Sequence, residues 1–153
     1  MYVTRTSRHM NAPPSAVYGA LLDADAVGRW RVPDGMSGRV HEFDAREGGR
    51  FRVSLTYEHS DATGKSGART DTYHGRFVRL ERDRLVVEEL AFETDDPALR
   101  GTMTMTTVLT ATEDGGTEVV MVHEGVPDAV PPGDNEAGTR MALANLAALV
   151  EAS

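Results

Sequence analysis

The chain's inventory of reactive side chains is short. It has five histidines (His9, His41, His59, His74 and His123) and no cysteine, which excludes thiolate chemistry, disulfides and Cys-based zinc or iron–sulfur sites. No two histidines stand at H-x-H or i, i+4 spacing, and no carboxylate completes a recognisable ligand triad, so no metal site is expected. No cofactor is expected either. His123 stands apart from the others. It ends the run Thr117 to Glu124 on the same side as Val119 and Met121, just before a proline-rich bend. There it either faces a ligand or is satisfied by loop carbonyls.

Glu88 and Glu89 sit in the apolar run Leu85 to Phe92, with Glu93 just beyond. Neighbours on a strand face opposite ways, so one of the pair points inward. An inward carboxyl there suits acid–base work; the plainer alternative is an ion pair with Arg76 or Arg79 of an adjacent strand. Two apparent motifs fail on inspection. Thr63-Gly64-Lys65-Ser66 resembles the end of a phosphate-binding loop, but the pattern needs glycine where His59 stands and a helix where Gly67-Ala68-Arg69-Thr70 leads into a strand. Gly35-Met36-Ser37-Gly38 lacks the G-x-S-x-G spacing of a nucleophile elbow and reads as a turn.

What remains is an apolar set able to line a cavity: Trp30, Tyr57, Tyr73, Phe77, Met103, Met105 and Met121. Methionine adapts to irregular shapes and recurs at permissive binding surfaces. With His123, and with Thr139 and Leu143 from the C-terminal helix, most of these form the candidate ligand contacts. No catalytic residue is assigned.

The elements that must position them are legible by periodicity. Val3 to Met10 reads as a strand, stopped by Asn11-Ala12-Pro13-Pro14-Ser15. Proline in a first turn favours a short helix over Ala16 to Leu22, and a second follows from Asp23 to Trp30, capped by Asp23 or Asp25. Val32-Pro33-Asp34-Gly35 is a turn. Extended runs then follow at Arg39 to Asp44, Arg50 to Tyr57, Thr70 to Leu80, Leu85 to Phe92, Thr102 to Thr112 and Thr117 to Glu124, with a polar connection over Ser60 to Ala68. Gly48-Gly49 and Asp114-Gly115-Gly116 mark hairpins. The last element is a helix headed by Gly133 or Asp134 as cap, with Glu136 in its first turn. Thr139, Ala142, Leu143, Leu146, Leu149 and Val150 stripe one side of it; Ala137, Met141, Ala144 and Ala148 lie opposite. Hairpin-linked strands with helices at the ends mean an α+β fold on an antiparallel sheet.

Length and charge bound the rest. The 153 residues make one domain, 1–153. A formal net charge of −8 disfavours nucleic acid and stable association with anionic membranes as partners. Arg46, Arg50 and Arg52, and Arg76, Arg79, Arg82 and Arg84, form local basic clusters that read as solvated strand faces and hairpin ends. No apolar run approaches a membrane span and no signal core follows Met1, so the cytoplasm is the expected location.

Several pieces taken in order resemble the SRPBCC (START-like, Bet v 1-like) superfamily, and within it the branch related to the C-terminal domain of the activator of Hsp90 ATPase. They are Trp30, Phe43-Asp44-Ala45-Arg46-Glu47-Gly48-Gly49-Arg50-Phe51, Tyr73-His74-Gly75-Arg76-Phe77, Gly101-Thr102-Met103, Gly116-Thr117-Glu118-Val119 running to His123-Glu124-Gly125, and Asn135-Glu136-Ala137-Gly138. The resemblance implies a helix-grip fold: a curved antiparallel sheet, two short helices and a long C-terminal helix enclosing a hydrophobic cavity. It implies binding of a hydrophobic or amphipathic small molecule, lipid- or polyketide-like, by a monomer or homodimer. It leaves open a cofactor-independent cyclase or hydrolase in the same cavity, or a chaperone-associated module. Many relatives place tryptophan where Thr139 stands, so the smaller side chain is expected to enlarge one end of the cavity.

Overall fold

The structure, a computed structural model, describes residues 1–57 and 70–152. His59, the Thr63 to Ser66 motif and the Ser60 to Ala68 connection lie outside the described residues. The elements run β1 (Tyr2–Met10), α1 (Pro14–Leu21), α2 (Ala24–Trp30), β2 (Met36–Phe43), β3 (Arg50–Tyr57), β4 (Thr70–Glu81), β5 (Leu85–Phe92), a 3-10 turn (Pro97–Leu99), β6 (Met103–Ala111), β7 (Thr117–Val126) and α3 (Pro132–Glu151).

Seven strands form one antiparallel sheet in the order β1-β7-β6-β5-β4-β3-β2. From β2 to β7 each strand pairs with the next in sequence. The two helices carry the chain away from β1, which pairs instead with β7 at the far edge. Register shifts interrupt the ladders between Val40 and Glu42 and between Phe77 and Arg79. Such bulges bend a strand and raise its twist, which curves the sheet toward α3. The result is the α+β helix-grip arrangement.

The inner face follows period two. On β5, Val86, Glu88 and Leu90 are buried, and on β6 Met103, Met105, Thr107 and Leu109. At one end Phe51 packs edge-on to Tyr73, with ring centroids 6.2 Å apart, and tilted against Phe77 at 5.2 Å. Gly75 makes this possible. A Cβ there would lie 2.0 Å from Glu89 O and 2.7 Å from the Phe51 ring, so only glycine lets that ring lie across β4.

The buried side of α3 is Thr139, Leu143, Leu146, Ala147 and Val150. Ala142 and Leu149 are only half-buried, and Ala147 takes the place they were expected to share. The cap expectation is corrected too. Pro131 is the N-cap, Pro132 opens the helix, and neither Gly133 nor Asp134 caps it; Asp134 lies in the first turn. Pro132 has no N–H to satisfy and its φ is already helical, so the turn starts without a side-chain cap. In α2 the Asp23 carboxylate does accept from Ala26 N–H at 3.3 Å.

The basic clusters are largely compensated. Arg52 pairs with Glu93, Arg76 with Glu89, Arg46 with Asp44, and Arg79 and Arg84 with Glu81.

Candidate ligand-binding site

Between the inner face of the sheet, the end of α2, the bend before α3 and the first turns of α3 lies a pocket of about 520 Å³. Its walls are mainly apolar. Leu90 comes from β5, Met103 and Met105 from β6, Met121 from β7, Val130 from the bend and Ala142 from α3. Of the residues singled out from sequence, Trp30, Tyr73, Met103, Met105, Met121, His123 and Thr139 line it. Tyr57 and Leu143 do not. Tyr57 is one inward step past Leu55, which does line the pocket, and a step along a strand is roughly 7 Å, beyond the pocket's end. Leu143 is one helical turn past Thr139 and is 1% exposed, packed in the core. Thr139 donates its hydroxyl to Asn135 O at 2.9 Å, so the helix itself satisfies it.

Trp30 closes one wall. Its indole N–H donates to Ala20 O at 3.0 Å, and the side chain is 2% exposed. Asn145 of α3 donates to Val32 O at 3.1 Å, tying the long helix to the chain just after α2.

The polar lining of the pocket is Arg31, Tyr73, His123, Asp134, Asn135 and Thr139, and a row across the sheet places His123 among them. Phe77, Glu88, Met105, His123 and Thr4 are register partners in succession on β4, β5, β6, β7 and β1, so their side chains project from one face side by side. Glu88 is the inward member of the glutamate pair, and Glu89 takes the outer face with Arg76 at 2.8 Å. The partner of Glu88 is neither Arg76 nor Arg79. It is Arg31, at the C-terminal end of α2, whose Nη1 donates to Glu88 Oε1 at 2.7 Å, with both side chains largely buried. The guanidinium carbon also sits 5.2 Å from the Tyr73 ring centroid. Burial works against the charge on Arg31, but Glu88 more than offsets it, so the pKa of Arg31 is raised and it stays charged.

His123 is held from α3 and β1. Thr4 donates its hydroxyl to Asn135 Oδ1, which turns the amide nitrogen toward the ring; Asn135 Nδ2 lies 3.1 Å from His123 Nδ1, closer than Oδ1 at 3.4 Å. An amide N–H donating to Nδ1 makes that nitrogen the acceptor and leaves the proton on Nε2. Burial first, then the nearby Arg31 charge, push the His123 pKa down to about 4, so the ring is neutral at neutral pH. Burial likewise raises the Tyr73 pKa, with Arg31 opposing, and keeps the phenol protonated. Neither Tyr73 OH nor His123 Nε2 has a protein partner among the described residues.

Sequence reasoning missed Arg31 and Asn135. Parity with Val86 and Leu90 marks Glu88 as the inward glutamate, and a buried carboxylate requires a cation. Nothing local points to Arg31, which lies 57 positions away. No group of three or more His, Asp or Glu side chains among the described residues could hold a metal ion. No described helix is long and apolar enough to cross a membrane.

A curved sheet wrapped on one long helix, with a mostly apolar pocket between them, defines a helix-grip protein of the SRPBCC fold. The family profile described as "Activator of Hsp90 ATPase homolog 1-like protein" matches residues 11–151, and the chain belongs to that family. Among solved structures, a protein from Chromobacterium violaceum is similar at 34% identity with a TM-score of 0.87, covering 97% of this chain and 96% of that one. The AHSA1 protein from Silicibacter pomeroyi shares the fold at 16% identity with a TM-score of 0.79, covering 97% and 96%. A Rhodobacter sphaeroides protein does so at 22% identity with a TM-score of 0.79, covering 99% and 93%. No curated protein matches the sequence.

Proposed function

We propose that this protein binds a hydrophobic or amphipathic small molecule in the pocket beneath α3, acting in the cytoplasm as a monomer or homodimer. The observation that carries the reading is the pocket itself. At about 520 Å³ it has the size of small-molecule sites, and its lining is mostly aliphatic, methionine and aromatic with a few polar groups. Trp30, Tyr73, Met103, Met105, Met121, His123 and Thr139 are the proposed contacts. Trp30 is the only tryptophan, so its emission reports on the pocket without a label. Titration with a panel of fatty acids, sterols and aromatic polyketides is expected to give a saturable change for at least one class. The melting temperature should rise with it, since a ligand at a hundred times its Kd stabilises by about 2.7 kcal/mol. A panel that moves neither signal counts against the proposal. Native mass spectrometry of freshly purified protein would identify a retained ligand directly.

A second reading, a cofactor-independent cyclase or hydrolase, is favoured by one observation: His123 is a neutral imidazole in the pocket wall, able to relay a proton. Conversion of a bound panel member, lost on His123→Gln, would establish it. A chaperone-associated module needs an exposed apolar patch. Among the described residues the exposed large apolar side chains are Met1, Val3 and Val78, which gives that reading the least support.

A further inference from the structure

Among the described residues Arg31 is the one cationic side chain in the pocket lining, and Glu88, its counter-ion, stands outside that lining. Their contact uses little of the guanidinium. Nη1 donates to Glu88 Oε1 at 2.7 Å, the one hydrogen bond of the Arg31 side chain among the described residues. The side edge of a guanidinium, Nε with Nη2, presents a pair of parallel N–H donors, and on Arg31 this edge has no protein partner.

The edge is not sealed off. The buried polar atoms without a partner are Thr6 Oγ1, Tyr73 OH and His123 Nε2, none of them on Arg31. Its Nε and Nη2, unpartnered yet outside that set, therefore keep accessible surface on a side chain that is only 14% exposed. That surface belongs to the pocket; the other clefts described on the molecule are lined without Arg31. The edge is also held in place. The guanidinium carbon lies 5.2 Å from the Tyr73 ring centroid, 5.9 Å from Trp30 and 6.0 Å from Phe51. Rings on these sides and Glu88 at Nη1 restrict its rotation, so little freedom is left to lose on binding.

The outer face of the same sheet shows what such an edge takes. There Arg52 Nε and Nη2 donate to Glu93 Oε2 and Oε1 at 2.8 and 2.9 Å. A carboxylate meets both donors with both oxygens, whereas an amide or ketone carbonyl offers one. Glu88 already offsets the charge of Arg31, so a ligand carboxylate leaves the site one negative charge in excess, and a phosphate or dicarboxylate leaves more. Excess charge in a sheltered site is costly, which limits the head group to a single carboxylate.

We infer that the ligand is an apolar molecule bearing one carboxylate, which accepts from Arg31 Nε–H and Nη2–H while the apolar body lies along Met103, Met105 and Met121. The inference rests on the proposal that the pocket binds a small molecule, and it names the head group.

The test is calorimetric titration at neutral pH with decanoate and 2-naphthoate, each set against its primary amide. For at least one of the two bodies the acid should bind about tenfold or more tightly than the amide, the value of a charge-assisted hydrogen bond over a neutral one. Arg31→Lys keeps a cation beside Glu88 and removes the paired edge, so the acid's advantage should shrink severalfold. A readout that needs no variant is the Arg31 Nε–H proton resonance in nitrogen-labelled protein, which should move downfield with the acid and less with the amide. Equal affinity for acid and amide, or tighter binding of the amide, overturns the inference and leaves the container reading standing. An undiminished preference for the acid in folded Arg31→Lys, or an Nε–H resonance that stays put at saturation, overturns it as well. Binding by none of the four probes overturns it too, and the broader reading then stands or falls on the Trp30 panel.

Discussion

Replacing His123 with glutamine tests the burial and the neutral state of the imidazole together. The folded-state pKa is about 4, against an ordinary value of 6.5, a depression of 2.5 that follows from burial and from Arg31. Between those limits the unfolded chain holds a proton that the folded chain refuses. Stability therefore rises with pH across this window and is lost as pH falls from about 6.5 toward 4. At about 1.4 kcal/mol per unit, the loss attributable to this one residue is on the order of 3 kcal/mol. In a protein of this size that is about 6–12 °C in Tm. Urea denaturation of wild type and His123→Gln at half-unit intervals from pH 7.5 to 4 gives the difference profile, from which titrations common to both cancel. Glutamine does not titrate, and its carbonyl can still accept from the Asn135 amide. The wild type should lose stability relative to the variant by up to about 1.4 kcal/mol per pH unit through this window, with the slope flattening below pH 4. A difference profile flat to within about 0.5 kcal/mol would refute the reasoning, because an imidazole that accepts its proton freely is not buried beside an arginine.

The remaining predictions concern the buried ion pair and the mouth of the pocket. Glu88→Gln leaves the Arg31 charge buried without its counter-ion and should destabilise by about 3–5 kcal/mol, whereas Arg31→Met combined with Glu88→Leu should recover most of that, measured as urea midpoints in a double-mutant cycle. Single and double variants of equal cost would show that the pair is not coupled. Thr139→Trp should fill part of the pocket, leave Tm within a few degrees and weaken binding of any ligand that wild type takes up by tenfold or more in the Trp30 titration. The added indole requires difference spectra against the unliganded variant. Unchanged affinity would place the ligand away from the first turns of α3.

The order of elements was legible because each is a local matter. Alternation in Arg50 to Tyr57 and Leu85 to Phe92, proline at the head of α1, and glycine pairs in the hairpins act over a few residues, and the described elements fall where those signals stand, within a few residues. Local signals were weaker at the head of α3, where two prolines start the helix and the expected capping side chains are not used. Seven of the nine candidate contacts came to line the pocket because period two and the helical wheel decide which face a side chain takes. Tyr57 and Leu143 show the limit of that reasoning: a face is a property of one element, whereas a pocket also has ends, set by how far each strand and turn runs past it.

By itself, then, the sequence determined the α+β class, the antiparallel hairpins, the long C-terminal helix, that one of Glu88 and Glu89 faces inward, and that His123 shares a side with Val119 and Met121. All of these depend on side-chain periods and backbone preferences within single segments. Only the tertiary structure decided who meets whom. Arg31 reaches Glu88 because α2 is docked by α3 over the bent sheet, and Asn135 fixes the His123 tautomer because β1 returns to the far edge and brings Thr4 beside it. These contacts join residues 57, 12 and 131 positions apart. Nothing in the local pattern of either partner points to the other, yet these contacts balance the buried charge of Glu88 and orient the His123 ring.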